Sequence, residues 1–180
     1  MNGSKLIQAL RSGDRAYGTL VTSASPHLAP RLRDVGLDFV FIDTEHIPID
    51  DHDLSWMCQT YAGMNLVPIV RIPEPDPYRA CKVLDCGAGG IVAPYVETVE
   101  QVQALRGAVK LRPLKGKKLA GVLDGSAMPG EQLADYLKTN NQGNVLIVNI
   151  ESMPAIENLD AILDVPDLDA VLIGPHDLSV

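Results

Sequence analysis

Residues 39–46 read FVFIDTEH: four apolar residues, then Asp43, Thr44, Glu45 and His46. A short, nearly continuous run of Val, Ile and Phe reads as a strand buried on both faces, as strands of parallel sheets are. Its abrupt stop at charge puts ionisable groups at the strand's C-terminal end. The pattern recurs along the chain. VPIVR (67–71) ends at Arg71, VLIVNIE (145–151) at Asn149 and Glu151, and AVLIGPHD (170–177) at His176 and Asp177. With YGTLVT (17–22) and GIVAP (90–94), and with 38–43 and 169–174 bounding the second and sixth, six strands are predicted. In a parallel α/β barrel the strand C-termini open onto one face, where chemistry sits. A candidate base, a cation and two acids would meet there from distant parts of the chain. That pattern reads as an enzyme.

Helix signals fill the intervals. Ser25-Pro26 and Asp76-Pro77 each offer an N-cap with proline at the first helical position. Thr98 and Gln101 have capping-box spacing ahead of Val102 and Leu105. Within 51–64, Leu54, Met57, Cys58, Tyr61 and Ala62 recur at three- and four-residue steps and give one apolar face. A helix near 130–140, with Leu133, Tyr136 and Leu137, belongs to a long excursion, 110–144, expected over the barrel mouth or at a subunit contact. CGAGG (86–90) follows a helix and leads into a strand, so it reads as a helix C-cap and turn. A phosphate cradle would follow a strand and open a helix.

Alternating strand and helix units build either a doubly wound sheet or a (β/α)₈ barrel. The polar endings are spread over strands two, three, five and six, whereas an open sheet gathers them at one switch point. The expected fold class is therefore α/β, a TIM (β/α)₈ barrel. The expected organisation is a single domain over 1–180 holding about six βα units and C-terminally incomplete, since such barrels use eight units over about 250 residues.

The chain has 180 residues, 46% of them hydrophobic, enough for one domain with a substantial core. A net charge of -8 argues against nucleic-acid or anionic-membrane partners, which require a basic face. Cys58, Cys81 and Cys86 lack metal-ligand spacing and read as buried free thiols of a reducing compartment. MNGSKLIQALRSGDR has no long apolar segment of the secretory kind, and no apolar run reaches the roughly 18 residues a membrane span needs. A cytoplasmic protein is expected.

Glu151 and Asp177 each close a buried strand, where a carboxylate is costly unless paired or bound to a cation. Two such carboxylates suit a hard divalent cation. The competing reading has Asp177 capping a helix after Gly174-Pro175 and Glu151 meeting an arginine. His46, beside Asp43 and Glu45, suits a general base, or else a satisfied structural histidine. Arg71 suits carboxylate binding or stabilisation of a developing oxyanion, or else a salt bridge to Glu45 or Glu74. His27 and His52 read as exposed helix residues without a role. No lysine falls at a strand end, so Schiff-base chemistry has no visible candidate.

These segments resemble the HpcH/HpaI aldolase family, metal-dependent class II aldolases of pyruvate-derived hydroxy-oxo acids. The likeness runs from about Gly18 to Val180. It is carried by GLDFVFIDTEH (36–46), VPIVRIP (67–73), VLDCGAGGIVAPYVETVEQ (83–101), VNIES (148–152) and DAVLIGPHDLS (169–179). The resemblance implies a barrel of the phosphoenolpyruvate/pyruvate type, with His46 as proton acceptor, Arg71 as transition-state stabiliser and Asp43 in the same catalytic set. Asp85 matches an acid credited with raising the basicity of the catalytic histidine. Glu151 and Asp177 would be the metal ligands, and Asn149, Gly174, Pro175, His176 and Asp177 would line the substrate. Asn149 stands where members commonly carry Gln, His176 where Ala or Ser is usual, and Ile47 where a small residue is usual. RPLKGKKLAG (112–121) lacks the common Arg-Gly pattern. The implied activity is reversible cleavage of a 4-hydroxy-2-oxo acid to pyruvate and an aldehyde through a metal-stabilised pyruvate enolate, with Mg²⁺ ahead of Mn²⁺ or Co²⁺. An acyl-CoA lyase or decarboxylase using the same enolate, or an inactive barrel, are the alternatives. The implied partners are a small 2-oxo acid and further copies of the chain, as a hexamer.

Overall fold

The computed structural model describes residues 1–179. Its strands are β1 (Gly18–Val21), β2 (Phe39–Asp43), β3 (Val67–Arg71), β4 (Gly90–Ala93), β5 (Val145–Ile150) and β6 (Ala170–Ile173). They form one sheet in sequential order, each pairing in parallel with the next. Parallel neighbours need a crossover, and helices supply it. In chain order these are α1 (Gly3–Ser12), α2 (Ala29–Leu32), α3 (Asp51–Gly63), α4 (Pro77–Asp85), α5 (Val99–Lys110), α6 (Gly116–Leu123), α7 (Glu131–Asn141), α8 (Met153–Glu157) and α9 (Leu159–Leu163). A 3₁₀ turn, Asp177–Ser179, follows β6. This is the α/β order of a TIM barrel, present as six strands with β1 and β6 at the two edges. Edge position explains why Leu20, Leu172 and Ile173 are 53%, 42% and 64% exposed although they sit in strands.

Side chains alternate across a strand, so each strand has one residue set per face. Val40, Ile42, Val70, Ile91 and Val148 point outward and join the main core beneath α3, α4 and α5. Val67, Ile69, Val92 and Val145 point inward, together with Phe39, Phe41 and Ile147. Leu6, Ile7 and Leu10 of α1 pack against that inner cluster. The inward set is the one whose parity continues to the charged strand ends.

Local signals explain most element boundaries. Asp76 accepts the backbone N–H groups of Tyr78 and Arg79 at 2.9 and 3.2 Å, and the capping box of Thr98 and Gln101 is complete. CGAGG is the expected cap and turn: Gly87 has φ of +101°, and Gly89 and Gly90 press against β3 and β5 where a side chain would not fit. Two expectations fail. Ser25 does not cap a helix; its carbonyl accepts the Leu28 N–H, and α2 begins only at Ala29. A helix started at Pro26 would carry Pro30 in its interior, where it lacks an N–H and clashes, so the helix starts late enough to hold Pro30 in its first turn. Of the two places expected for the excursion, the barrel mouth is the one it does not occupy. Leu119 and Leu123 pack on Gly107 of α5, Asn141 donates to the Arg112 carbonyl, and Gly143 abuts Gly3. It is a helical layer beside α5 and α1.

Asp169, at the head of β6, has a fully buried side chain that accepts from the Leu146 N–H at 2.9 Å, Lys110 Nζ at 2.5 Å and Arg11 at 3.1 Å. Lys110 is itself only 9% exposed. Asp169→Ala should destabilise the protein by about 3–5 kcal/mol, because it strands a buried ammonium. Asp167→Ala, which breaks a half-exposed pair with Arg106, should cost under about 1 kcal/mol. Urea denaturation of the two variants measures the contrast.

Candidate active site

Register brings the first pair together. Asp43 is the last residue of β2 and lies directly opposite Arg71, the last residue of β3. Both continue the inward parity of Phe39, Phe41, Val67 and Ile69. Arg71 donates Nε–H to Asp43 Oδ1 at 2.9 Å and Nη2–H to Oδ2 at 2.6 Å, the two-pronged geometry that suits a guanidinium. Its cation lies 5.7 Å from the centre of the Phe41 ring below. Burial pushes the Asp43 carboxyl up, but the Arg71 hydrogen bond and the backbone N–H groups of Glu45 and His46 outweigh it, holding the group below its ordinary value. Its hydrogen bond with Asp43 holds Arg71 above its ordinary value, so the pair stays ionised.

Glu45 joins the pair from the next loop. Its side chain is 8% exposed, and Oε2 sits 3.0 Å from Arg71 Nε. That nitrogen's single N–H points at Asp43, so Glu45 Oε2 has the charge but no hydrogen bond. His46 Nε2 lies 3.5 Å from Glu45 Oε1, with the imidazole 63% exposed to the mouth. The expected Arg71–Glu45 salt bridge is therefore present, subordinate to Asp43.

On β5 the inward parity of Val145 and Ile147 continues to Asn149 and Glu151, 1% and 7% exposed. Asn149 Nδ2 donates to Glu151 Oε2 at 2.9 Å, and the Tyr95 backbone N–H donates to Oε1 at 2.8 Å. Glu151 thus has neutral donors on both oxygens and no arginine hydrogen-bonded to it. Gly174 follows β6 opposite Glu151. A Cβ there would meet Glu151 Cβ and Oε2 at 2.8 Å each, and Asp177 Oδ2 at 3.6 Å. Two carboxylate oxygens thus converge on the space beside a glycine. Among the described residues Asp177 makes no capping hydrogen bond; the carbonyls of Gly174 and His176 close the 3₁₀ turn. Pro175 and His176 are exposed beside it.

Asp85 is the expected site residue that this chain does not bring to the mouth. It ends α4, at the opposite end of the strands, and pairs with Arg112. Tyr95 is the residue sequence reading missed. It stands directly after β4 and Pro94 with φ of +54°, its backbone N–H on Glu151, and the Glu45 carboxylate holds its hydroxyl above its ordinary pKa. The signal was positional: the fourth strand also ends at a polar side chain, one residue beyond GIVAP.

Other clusters belong elsewhere. A cavity of about 540 Å³ opens between α1, α5 and α7, but at the N-terminal end of the strands. Arg11, Arg106 and Lys110 in its wall are already paired with Asp167 and Asp169. Asp50, His52 and Asp53 place three candidate ligand atoms within 4.8 Å of one another. Helix capping accounts for them, since Asp50 accepts the Asp53 N–H and Asp53 accepts from Trp56 Nε1. The cysteines are free, and burial pushes the Cys58 thiol up to about 12. Among the described residues no helix is long and apolar enough to cross a membrane.

Comparison with known proteins agrees with this fold. The chain is 34% identical over 171 residues to a hydroxypyruvate/pyruvate aldolase from Roseovarius nubinhibens, covering 95% of this chain and 66% of the relative. It is 35% identical over 172 residues to a 2-keto-3-deoxy-L-rhamnonate aldolase from Salmonella gallinarum, covering 96% and 64%. It therefore spans just under two thirds of the length of these relatives. Among solved structures, an HpcH/HpaI aldolase from Desulfitobacterium hafniense superposes with a TM-score of 0.79 at 27% identity, covering 97% of this chain and 67% of the other. Citrate synthase SbnG matches with the same TM-score at 30% identity, covering 97% and 66%. The family model for HpcH/HpaI aldolase/citrate lyase matches residues 17–180, and the chain belongs to that family.

Proposed function

We propose that the protein is a divalent-cation-dependent aldolase, a carbon–carbon lyase that reversibly cleaves a 4-hydroxy-2-oxo acid to pyruvate and an aldehyde. The observation that carries this reading is the convergence of Glu151 and Asp177 beside Gly174. Glu151 is 7% exposed and has no cationic hydrogen-bond partner, an arrangement that is costly without a counter-charge. An all-oxygen donor set suits Mg²⁺ or Mn²⁺, and Co²⁺ less closely. Such a cation, when bound, would act as a Lewis acid on the 2-oxo acid.

The remaining residues have separable tasks. Asn149 and the Tyr95 N–H hold the Glu151 carboxylate in one orientation, and Asn149 Oδ1 remains a buried acceptor open to substrate. Asp43 takes Nε and Nη2 of Arg71, fixing the guanidinium plane and leaving Nη1 for substrate. In the cleavage direction His46 accepts the proton of the 4-hydroxyl. The bond between C3 and C4 then breaks and its electrons move toward the 2-oxo oxygen, where Arg71 offsets the growing charge. Glu45 steadies the imidazole that has become cationic. Pro175 and His176 flank the substrate on the Asp177 side. The proposal includes a homo-oligomer, a hexamer by family resemblance, which light scattering on the full chain tests. The likeness to a citrate synthase favours, as a second reading, carbon–carbon bond formation with the same residues, which an assay of addition to 2-oxo acid acceptors tests.

Four variants test the site. Glu151→Gln should abolish calorimetric cation binding while the circular dichroism spectrum stays unchanged. Gly174→Ala, which leaves both carboxylates in place but fills the space between them, should weaken binding by about 10–100-fold. If both variants bound the cation as the parent does, the site would lie elsewhere. His46→Ala should slow cleavage by about 10²–10⁴-fold. Arg71→Lys should lower kcat more than it raises KM, because the charge it meets grows only in the transition state.

A further inference from the structure

We infer that Glu97 is a positioning residue for the candidate cation site. Through Ser152 it locks the loop after β4 to the loop after β5, so that the Tyr95 N–H stays on Glu151. The inference rests on the reading of Glu151 as a cation ligand and adds the device that keeps its carboxylate in place.

Glu151 depends on a backbone that has to be held. The N–H on its Oε1 belongs to Tyr95, whose φ of +54° lies where non-glycine residues are uncommon. Such a conformation persists only where the surroundings over-determine it. The Tyr95 side chain, 53% exposed, does not supply that restraint. Its flanks do. Pro94 and Val96 are buried, and Val96 belongs to the main core. Glu97, the next residue, is then held at three points. Its N–H donates to Gln101 Oε1 at 2.8 Å, its carbonyl accepts from Asn158 Nδ2 at 2.9 Å, and its carboxylate Oε1 accepts from Ser152 Oγ at 2.7 Å.

The third contact closes a ring. Ser152 is the chain neighbour of Glu151, and Glu97 lies two residues beyond Tyr95. Two hydrogen bonds therefore cross between the loops in opposite directions, Tyr95 N–H to Glu151 and Ser152 O–H to Glu97. One bond lets the loops pivot about it; two together fix their relative orientation. Helix capping does not account for the Glu97 side chain. The capping box of α5 is made by Thr98 and Gln101, and Ser152 caps α8 as an acceptor from the Ala155 N–H at 3.3 Å. A hydroxyl has one proton and two lone pairs, so capping leaves the Ser152 proton free for a partner. Glu97 is the partner that reaches across from the next loop.

The test uses the full chain with Mg²⁺ alone, read by calorimetric affinity and by amide hydrogen exchange of the cation-free protein. Glu97→Ala should weaken Mg²⁺ binding by about tenfold and speed exchange at the Tyr95 N–H. Glu97→Gln keeps an oxygen for Ser152 at the same reach and should match the parent in both readouts. Ser152→Ala should also weaken binding, and adding Glu97→Ala to it should weaken binding no further, because the contact is already gone. Parent-like affinity or parent-like Tyr95 exchange in Glu97→Ala would overturn the inference, even with a lowered urea midpoint, since the role would then be structural alone. A loss of affinity in Glu97→Gln as large as in Glu97→Ala would overturn it too, because the charge of Glu97 and not its grip on Ser152 would be responsible. These outcomes leave the cation reading standing. A parent that binds no Mg²⁺ would overturn that reading and this inference with it.

Discussion

The pairing of Asp43 with Arg71 is the contact on which the site's geometry rests. It exists because two parallel strands end in register, so the last residue of each faces its neighbour on the same side. A one-residue slip would turn one of the two outward among the helices. With the register held, Asp43 orients the guanidinium, Phe41 supports it from below, and Glu45 and His46 are drawn in from the next loop by the same charges. A single strand alignment thereby arranges four groups whose side chains would otherwise be free to wander.

Around that pair the charge does not balance. Asp43, Glu45, Glu151 and Asp177 gather at one end of the sheet against a single permanent cation, Arg71, which is already committed to the first two. Glu151 is steadied by an amide and a backbone N–H, which orient a carboxylate but do not neutralise it. At low exposure such a group calls for a counter-ion, and glycine at 174 lets the backbone approach Glu151 and Asp177 where a Cβ would press on the Glu151 side chain. The electrostatic deficit and the close approach at glycine coincide, which neither carboxylate alone would indicate.

The opposite end of the sheet has a different logic. Asp169 there is fully buried but has two cations and a backbone N–H, so its charge is compensated within the protein. α1 packs on the inner apolar cluster at the same end. Compensated charge and apolar packing make a foundation at the N-terminal ends of the strands; uncompensated charge marks the candidate site at their C-terminal ends. The division matches the general separation of stability and chemistry in barrels of this type.

Much of this was legible in the chain itself. Buried strands announced themselves as unbroken apolar runs, their order followed from alternation with helices, and Asp43, Arg71, Glu151 and Asp177 stood out because charge at the end of such a run is costly. These are local signals, written within a few residues. What they could not reveal depends on contacts between distant segments. The excursion's place beside α5, the engagement of Asp85 by Arg112 away from the mouth, and the hold of Tyr95 on Glu151 across 56 positions are of that kind. Composition and spacing carry no information about which distant surfaces meet, because that is decided by packing and register over the whole sheet. The sequence by itself determined the strand set and the charged residues at its ends; only the tertiary structure decided which of those charges are compensated, and so which end of the sheet is left to bind.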